Sequence, residues 1–471
     1  MPKIHISKYR MIGIYTNLVL LACSLFLVFA MKIDDLQFWG LYGFWVSAIL
    51  YAVYAIVNHR MITPFSLFFI SFCVFQFGQF YLYGFGVDYG YVFEHPFYSK
   101  YIDPEEIFIV AKFTLLSIQS LMLAGVSVGV REERFQLEEN SEDVFHLKRV
   151  GKLMFWISLP AAVIITSTQV LLAVRYGYES LRTGTTGSLL QSLGIFNRLM
   201  VFYAPSLILL WILSAKKRKT QVIYELLMLV HIVSYLIVGQ RTIGLGLAGT
   251  LMLLKLNQAK KIKPRTILIL VLVTVSLMGL SNYVAEARLA NASESFGLQT
   301  LMSGVINFVG SCGWSAFPLM VIVGATPNPI SFAHGLSYLG SMLSFFPSFI
   351  DISGMLKDVL AYVSEDWLTV YAKTTFGIGY SLTAEAYYNF AWYGIIAIFI
   401  IGLILAWILN TTKKNLTPFK YYVQMSMTYA LFTLPRRGIY DMFNYLFYFV
   451  FIYWLLFKMS KMMYGKNKVL E

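Results

Sequence analysis

Long apolar runs recur along this chain, and short polar segments separate them. A helix of roughly 20 apolar residues crosses the ~30 Å hydrocarbon core of a bilayer. The pattern predicts an all-α, polytopic bundle of about 12 spanning helices. These predicted spans lie near 11–31, 38–57, 64–84, 105–130, 150–173, 196–214, 221–238, 242–256, 265–283, 386–409, 420–434 and 439–458.

The ends of these runs carry further signals. The first run, 11–31, follows a basic N-terminus but is long and has no good small-residue cleavage site, so we expect a retained membrane helix rather than a signal peptide. The fourth should begin at Asp103-Pro104, an N-cap followed by a proline suited to the first helical position. Glu105 and Glu106 then face the positive end of the helix dipole, which favours a helix start over a catalytic pair.

The spans divide the chain into three predicted regions. Residues 1–283 hold nine helices, 284–385 form a large extracytoplasmic loop, and 386–471 hold the last three helices. Apolar stretches at 301–323 and 333–349 favour helices that lie at the interface or re-enter it. A further spanning pair stays open, because 324–332 contains no Lys or Arg to decide between them.

Composition supports a membrane protein. Apolar residues make up 58% of the chain and charged residues 13%, against about 25% charged in soluble domains, and the mean hydropathy is +0.66. The net charge of +13 does not indicate nucleic-acid binding, since the basic clusters lie between apolar runs, where topology explains them. Cys23, Cys73 and Cys312 all lie in apolar runs and form neither a disulfide framework nor a metal-binding spacing.

The distribution of Lys and Arg predicts the topology. With a cytoplasmic N-terminus, about two thirds of the 37 Lys and Arg residues fall on the cytoplasmic side, as the positive-inside rule expects. Both termini are then cytoplasmic. Most cytoplasmic basic residues are lysines, whereas most external ones are arginines: Arg175, Arg182, Arg198, Arg241, Arg288, Arg436 and Arg437.

Two external arginine turns, Gly239-Gln240-Arg241 and Pro435-Arg436-Arg437-Gly438, adjoin short predicted helices. A helix over 242–256 would be about 22 Å long, less than the hydrocarbon core, so these turns should be recessed below the outer surface. A guanidinium group there is costly unless it faces a polar cavity or a partner, which predicts a phosphate or pyrophosphate site. The alternative is snorkelling to lipid headgroups with pairing to Glu286, Glu385 or Asp441.

The run GIGYSLTAEAYYNFAWYG (377–394) carries a family resemblance. It resembles the hallmark stretch of bacterial O-antigen and capsular repeat-unit polymerases of the Wzy type, a glycine-rich turn followed by a core that is here Ser381, Glu385, Tyr387, Asn389 and Phe390. The segment HGLSYLGSMLSFFP (334–347) is similar to a segment of that family's large external loop, and the two arginine turns lie where such proteins carry theirs. Ala391 departs from the pattern, since glycine is expected there.

The resemblance implies a membrane glycosyltransferase of the C type that acts on the outer face of the cytoplasmic membrane. It would move a growing glycan from undecaprenyl pyrophosphate onto the terminal sugar of a new lipid-linked repeat unit and release undecaprenyl pyrophosphate. Its partners would be these lipid-linked oligosaccharides, the bilayer, and a chain-length regulator and flippase of the same pathway. No cofactor is expected, and no metal-ligand pattern is visible, so we expect metal-independent activity.

Candidate site residues follow from that reaction. The pyrophosphate is assigned to Arg241, Arg288 and Arg436, with Arg437 and Arg175 in reserve. Glu385 is the first candidate for the base that deprotonates the acceptor hydroxyl and His334 the second, while Tyr338, Tyr387 and Trp392 are candidates for lining the glycan groove.

Two other functions stay open. A ligase of the O-antigen type would use the same donor but pass finished glycan to a second acceptor, and the run at 377–394 favours the polymerase. A transporter or flippase of lipid-linked sugars would predict matched halves with broken helices near the midplane, and no such symmetry is visible in the sequence.

Overall fold

The structure is a computed structural model of the full chain. It describes residues 8–87, 93, 102–129, 142–176, 192–258, 276, 279, 298–344, 362–363, 366–374, 377–410 and 416–464. All regular secondary structure in these residues is helical, as predicted. In chain order the α-helices are α1 (Lys8–Ala30), α2 (Leu36–Asn58), α3 (Pro64–Gly84), α4 (Pro104–Val128), α5 (Glu142–Tyr176), α6 (Gly194–Met200), α7 (Tyr203–Ile212), α8 (Arg218–Val238), α9 (Arg241–Gln258), α10 (Leu298–Gly313), α11 (Phe317–Ala325), α12 (Leu336–Leu343), α13 (Asp366–Tyr371), α14 (Leu382–Phe390), α15 (Gly394–Asn410), α16 (Pro418–Leu431), α17 (Ile439–Tyr445) and α18 (Ile452–Tyr464).

Ten helical segments in the described part of the chain are long and apolar enough to cross a membrane, which makes this a multi-pass membrane protein. Nine of them coincide with predicted spans. The tenth, Ser303–Ala325, covers the apolar stretch at 301–323, so the spanning alternative for that stretch is compatible with its length and composition. The predicted span at 265–283 lies almost wholly outside the described residues, and the count of about 12 is not confirmed.

The second apolar stretch of the predicted loop is different. Its described helix, α12, has 8 residues, which is about 12 Å and too short to cross a bilayer. It follows Gly335, whose φ of +90° places the backbone in the left-handed region that glycine adopts readily.

Helix α9 is longer than the sequence predicts. It begins at Arg241 itself and has 18 residues, three more than the predicted 242–256. Its length of about 27 Å falls only a little short of the ~30 Å hydrocarbon core, so helix length alone gives little support for a recessed Arg241. Helix α16 has 14 residues, about 21 Å, so the same argument still holds for the turn that follows it.

The chain forms two compact units. The first comprises Met1–Glu132, Ile306–Thr411 and Leu431–Asn444. The second comprises Glu133–Val305, Thr412–Ala430 and Tyr445–Glu471. Segments distant in sequence therefore build each unit, and both units draw on the C-terminal helices.

Local sequence determines where the helices of the first unit begin. Thr63 and Ser66 form a reciprocal cap before α3, with the Ser66 amide donating to Thr63 Oγ1 at 3.0 Å and the Thr63 amide donating to Ser66 Oγ at 2.7 Å. The predicted start of α4 is confirmed: Asp103 is the N-cap, Pro104 opens the helix, and Glu106 Oε2 accepts from the Asp103 amide at 3.1 Å.

Helix α3 lies deep in the first unit, because small residues let its neighbours approach closely. A Cβ atom added at Gly40 of α2 would lie 2.8 Å from Gly84 Cα, and one added at Gly78 would lie 2.7 Å from the carbonyl oxygen of Val309. Most of α3 is buried as a result, including two glutamines, Gln76 and Gln79. Buried amides require hydrogen-bond partners, and those of Gln76 belong to the candidate site.

Candidate functional site

Glu385 is a carboxyl group buried inside the first unit. It lies in α14, whose N-cap is Ser381: the Ser381 Oγ accepts a hydrogen bond from the Ala384 amide at 3.2 Å. All residues of α14 from Leu382 to Asn389 are buried, and Glu385 is 1% exposed. A carboxylate so far from water is costly unless other donors replace its hydration.

Two other segments of the chain supply those donors. Ser337 Oγ donates to Glu385 Oε1 at 2.9 Å, and Ser341 Oγ makes a longer contact of 3.5 Å with the same oxygen. The amide of Ile439 donates to Oε2 at 2.6 Å. Within the described residues no lysine or arginine forms an ion pair with Glu385. The carboxyl group is therefore held by neutral donors there.

Asn389, one turn after Glu385, fixes the serine segment. Its Nδ2 donates to Ser337 Oγ at 2.6 Å and to the Glu385 carbonyl oxygen at 2.7 Å, while its Oδ1 accepts from the Gly335 amide at 2.8 Å. Ser337 thus accepts from Asn389 and donates to Glu385, so its hydroxyl has a defined direction. The side chain of Asn389 uses both donors and its acceptor within the site.

The arginine turn is a short 3₁₀ turn, Leu434–Arg436, followed by Arg437 and Gly438. The amide Nε2 of Gln76 in α3 donates to the Pro435 carbonyl oxygen at 2.6 Å. The Oε1 of Gln76 accepts a short hydrogen bond from Thr383 Oγ1 in the first turn of α14. The side chains of Arg436 and Arg437 are exposed, and Arg437 Nη1 pairs with Asp441 Oδ2 at 2.9 Å.

Gly438 brings this turn against the carboxyl group. A Cβ atom at Gly438 would lie 2.8 Å from Glu385 Oε2 and 3.0 Å from the ring of Tyr380, closer than ordinary contact allows. Only glycine therefore permits the backbone approach that lets the Ile439 amide reach Glu385. Three segments singled out in the sequence, 334–347, 377–394 and the turn at Arg436, meet around one carboxylate.

The other residues predicted near Glu385 have different environments. His334 is exposed and has a positive φ of 48°. The hydroxyl of Tyr338 is buried without a hydrogen-bond partner among the described residues. Burial first, and then the charge of Glu385, raise the pKa of Tyr338 well above its usual value. Its ring centroid lies 6.0 Å from that of Phe390.

Tyr387 and Trp392 share an aromatic cluster. The ring of Tyr387 is buried and lies 5.1 Å from Phe113, and the half-buried ring of Trp392 lies 5.9 Å from Phe113 and 5.1 Å from Phe29. Packing against these neighbouring rings accounts for the conformation of both side chains. Their role as glycan contacts stays a prediction.

The remaining predicted arginines belong elsewhere. Arg241 is the first residue of α9 in the second unit and is half-exposed; it follows Gly239, the left-handed C-cap of α8 with a φ of +84°. Arg175 is exposed in the last turn of α5, also in the second unit. Arg288 lies outside the described residues. The pyrophosphate assignments of all three stay predictions.

The sequence predicts no role for Gln76, Thr383 or Ser341, although all three contact the site. A signal was present for Gln76, because a glutamine within an apolar span must find a partner inside the protein. The predicted metal independence also stays untested; among the residues that the structure describes, no three His, Cys, Asp or Glu side chains are grouped to hold an ion.

Comparison with known proteins identifies the family. The family model described as O-antigen polysaccharide polymerase Wzy matches residues 14–467, nearly the whole chain. Neither the search of curated proteins nor that of solved structures found a match. The match includes the helices, the buried carboxylate and the arginine turns described above. The chain belongs to the Wzy family of O-antigen polysaccharide polymerases.

Proposed function

We propose that this polymerase extends glycans on undecaprenyl pyrophosphate at the outer face of the cytoplasmic membrane, by block transfer onto a new lipid-linked repeat unit. The family supports a glycosyltransferase-type enzyme that joins O-antigen repeat units. One observation supports the proposed transfer reaction. An exposed arginine turn lies beside a buried carboxylate, and the Ile439 amide joins them by a 2.6 Å hydrogen bond to Glu385.

The reaction breaks one bond and forms another. The acceptor hydroxyl oxygen of the new unit attacks the anomeric carbon of the growing glycan, and the bond from that carbon to the pyrophosphate oxygen breaks. The pyrophosphate leaves with both electrons of that bond, so negative charge develops on it in the transition state. Guanidinium groups already aimed at that oxygen stabilise the charge.

Arg436 is the first candidate for this role in the first unit, because its side chain is exposed and its backbone is fixed by the Pro435 and Ile439 hydrogen bonds. Arg437, whose guanidinium group pairs with Asp441, stays a reserve. Arg241, Arg288 and Arg175 stay the other candidates for binding the diphosphate.

Glu385 is proposed to accept the proton of the acceptor hydroxyl. Its carboxylate is not neutralised by a described cation, and Oε2 accepts only one hydrogen bond in the described residues. That oxygen keeps a lone pair, and because Glu385 is 1% exposed, a substrate hydroxyl reaches it only when the residues around it move aside. His334 remains the second candidate, because it is exposed next to Gly335, whose amide is bound by Asn389.

The orientation in the membrane is proposed from the Lys and Arg distribution: both termini in the cytoplasm and the arginine turns outside. The substrate then reaches the enzyme after a flippase has moved it across the membrane, and a chain-length regulator acts on the same product.

Reconstitution tests this function. Purified protein in liposomes should convert a lipid-linked repeat unit, supplied without any second acceptor, into a ladder of longer glycans and one undecaprenyl pyrophosphate per new bond. A ligase would give no ladder until a second acceptor was added. A flippase would move the donor between leaflets and form no glycosidic bond, and either result would overturn the proposal.

A further inference from the structure

The arginine turn is attached to the rest of the first unit at both of its ends. Before Arg436, the Pro435 carbonyl oxygen accepts from Gln76 Nε2 at 2.6 Å. After Gly438, the Ile439 amide donates to Glu385 Oε2, also at 2.6 Å. The turn between these anchors contains Arg436 and Arg437.

Both anchors connect the arginine turn to α14. Gln76 accepts a hydrogen bond from Thr383, and Thr383 lies two residues before Glu385 in α14. The amide of Gln76 therefore has a defined orientation, with its oxygen towards Thr383 and its NH₂ group towards Pro435. Gln76 and Thr383 are each 0% exposed, so water does not compete for either bond.

We propose that Gln76 is a positioning residue for glycosyl transfer: through Thr383 and Pro435 it fixes the arginine turn relative to the carboxylate of Glu385. This inference rests on the proposed function, in which the turn binds the diphosphate of the lipid carrier.

The physical reason for this role is that a flexible side chain needs a fixed backbone. An arginine side chain is long and flexible, so its guanidinium group is preorganised only if its backbone cannot move. The turn is a single 3₁₀ turn with two backbone hydrogen bonds of its own, and it ends in a glycine before α17; these local bonds give it little stiffness relative to α14. A buried glutamine that bonds the carbonyl just before Arg436 supplies that stiffness.

The chain offers a matched control on the same helix. Gln79 lies almost one turn after Gln76, is 5% exposed, and donates through Nε2 to the Gly310 carbonyl oxygen at 3.2 Å. It makes the same kind of bond to a different segment. Replacing either glutamine by methionine removes the bonds and keeps the side-chain length.

The experiment measures single-turnover bond formation and KM with a lipid-linked repeat unit, per folded molecule, in liposomes. Gln76→Met should lower the turnover rate at saturating donor at least tenfold, because displacement of a charge-stabilising group by about 1 Å costs on the order of 10²-fold. Gln79→Met should stay within about twofold of the wild type. Thr383→Val should reproduce the loss, and Thr383→Ser, which keeps the hydroxyl, should restore it.

Combination with Arg436→Ala separates positioning from a general effect on structure. If Gln76 acts through the turn, Gln76→Met should cause no further loss once Arg436 is absent, so the two effects should not multiply. Equal losses in Gln76→Met and Gln79→Met, or losses that multiply with Arg436→Ala, would overturn the inference. Full activity of Arg436→Ala alone would instead contradict the role of the turn in the proposed function. Should Gln76→Met not fold, Thr383→Val and Thr383→Ser decide the question by the same rates.

Discussion

The substitution Glu385→Gln separates two roles that the carboxylate could have. As an anchor, Glu385 accepts hydrogen bonds from Ser337 and from the Ile439 amide. As a base, it takes a proton from the acceptor hydroxyl. Glutamine has the same shape and keeps one oxygen acceptor, but its amide is not a useful base at neutral pH.

The contacts determine how well glutamine fits. The glutamine oxygen can accept from the Ile439 amide, whose N–H direction is fixed by the backbone. The glutamine NH₂ group can then donate to the Ser337 hydroxyl, which can rotate to accept. The cost is the loss of charge assistance in these bonds, about 1 kcal/mol, and the loss of the acceptor for the Ser337 hydroxyl proton, about 1–3 kcal/mol. The loss of a general base lowers the rate by roughly 10²–10⁴-fold. We therefore expect Glu385→Gln to fold and to polymerise at least about 100-fold more slowly.

Glu385→Ala is the matched contrast. It leaves the buried Ser337 hydroxyl and the Ile439 amide without their acceptor, at about 1–3 kcal/mol for each group. This variant should lose both folding stability, measured as the thermal midpoint in detergent, and activity.

The assay measures the single-turnover rate of glycosidic bond formation per folded molecule, with the glycan products separated by length. Polymerisation by Glu385→Gln within a few-fold of the wild-type rate would refute the base assignment and leave Glu385 as an anchor of the arginine turn. Activity would then be expected to depend on His334 instead.

Two further predictions concern backbone geometry. Gly438→Ala should lower the polymerisation rate about tenfold or more, because the new methyl group would lie 2.8 Å from Glu385 Oε2 and push the turn away, whereas Gly377→Ala, with no atom within 4 Å, should leave the rate unchanged. Ala391→Gly should raise the free energy of unfolding by about 1 kcal/mol, since the φ of +49° and ψ of −131° of Ala391 strain any residue with a Cβ atom. The thermal midpoint in detergent checks this, with Ala386→Gly in the helix before it as a control that should lower the midpoint; a lower midpoint for Ala391→Gly would contradict the argument.

The fold was largely predictable because a bilayer imposes a simple rule on helix length and composition. Most spans follow from apolar runs, and the Asp103-Pro104 start of α4 follows from capping chemistry. The length of α9 was less predictable. Its three extra residues are Arg241 at the start and Asn257 and Gln258 at the end, and an apolar pattern cannot show that such polar residues belong to the helix.

The motifs of the site were predictable from the sequence, but the hydrogen bonds that connect them were not. Glu385, Arg436 and the serine segment were each visible as patterns, and the structure adds that Ser337 and Ile439 bind the same carboxylate. Gln76 lies more than 300 residues before Thr383, so no local pattern could pair them. The resemblance also indicated that glycine is usual at position 391, and the positive φ there gives the physical reason for that preference.

In the proposed function, external arginine turns hold the diphosphate of the lipid carrier during transfer. The most direct test measures undecaprenyl pyrophosphate released per glycosidic bond, and the rate of release, in liposomes whose donor is confined to the leaflet facing the arginine turns. We expect one carrier released per bond in the wild type and a rate lower by about 10²–10³-fold in Arg436→Ala and in Arg241→Ala, with folding retained. Wild-type release by both variants, or turnover only of donor in the opposite leaflet, would contradict it.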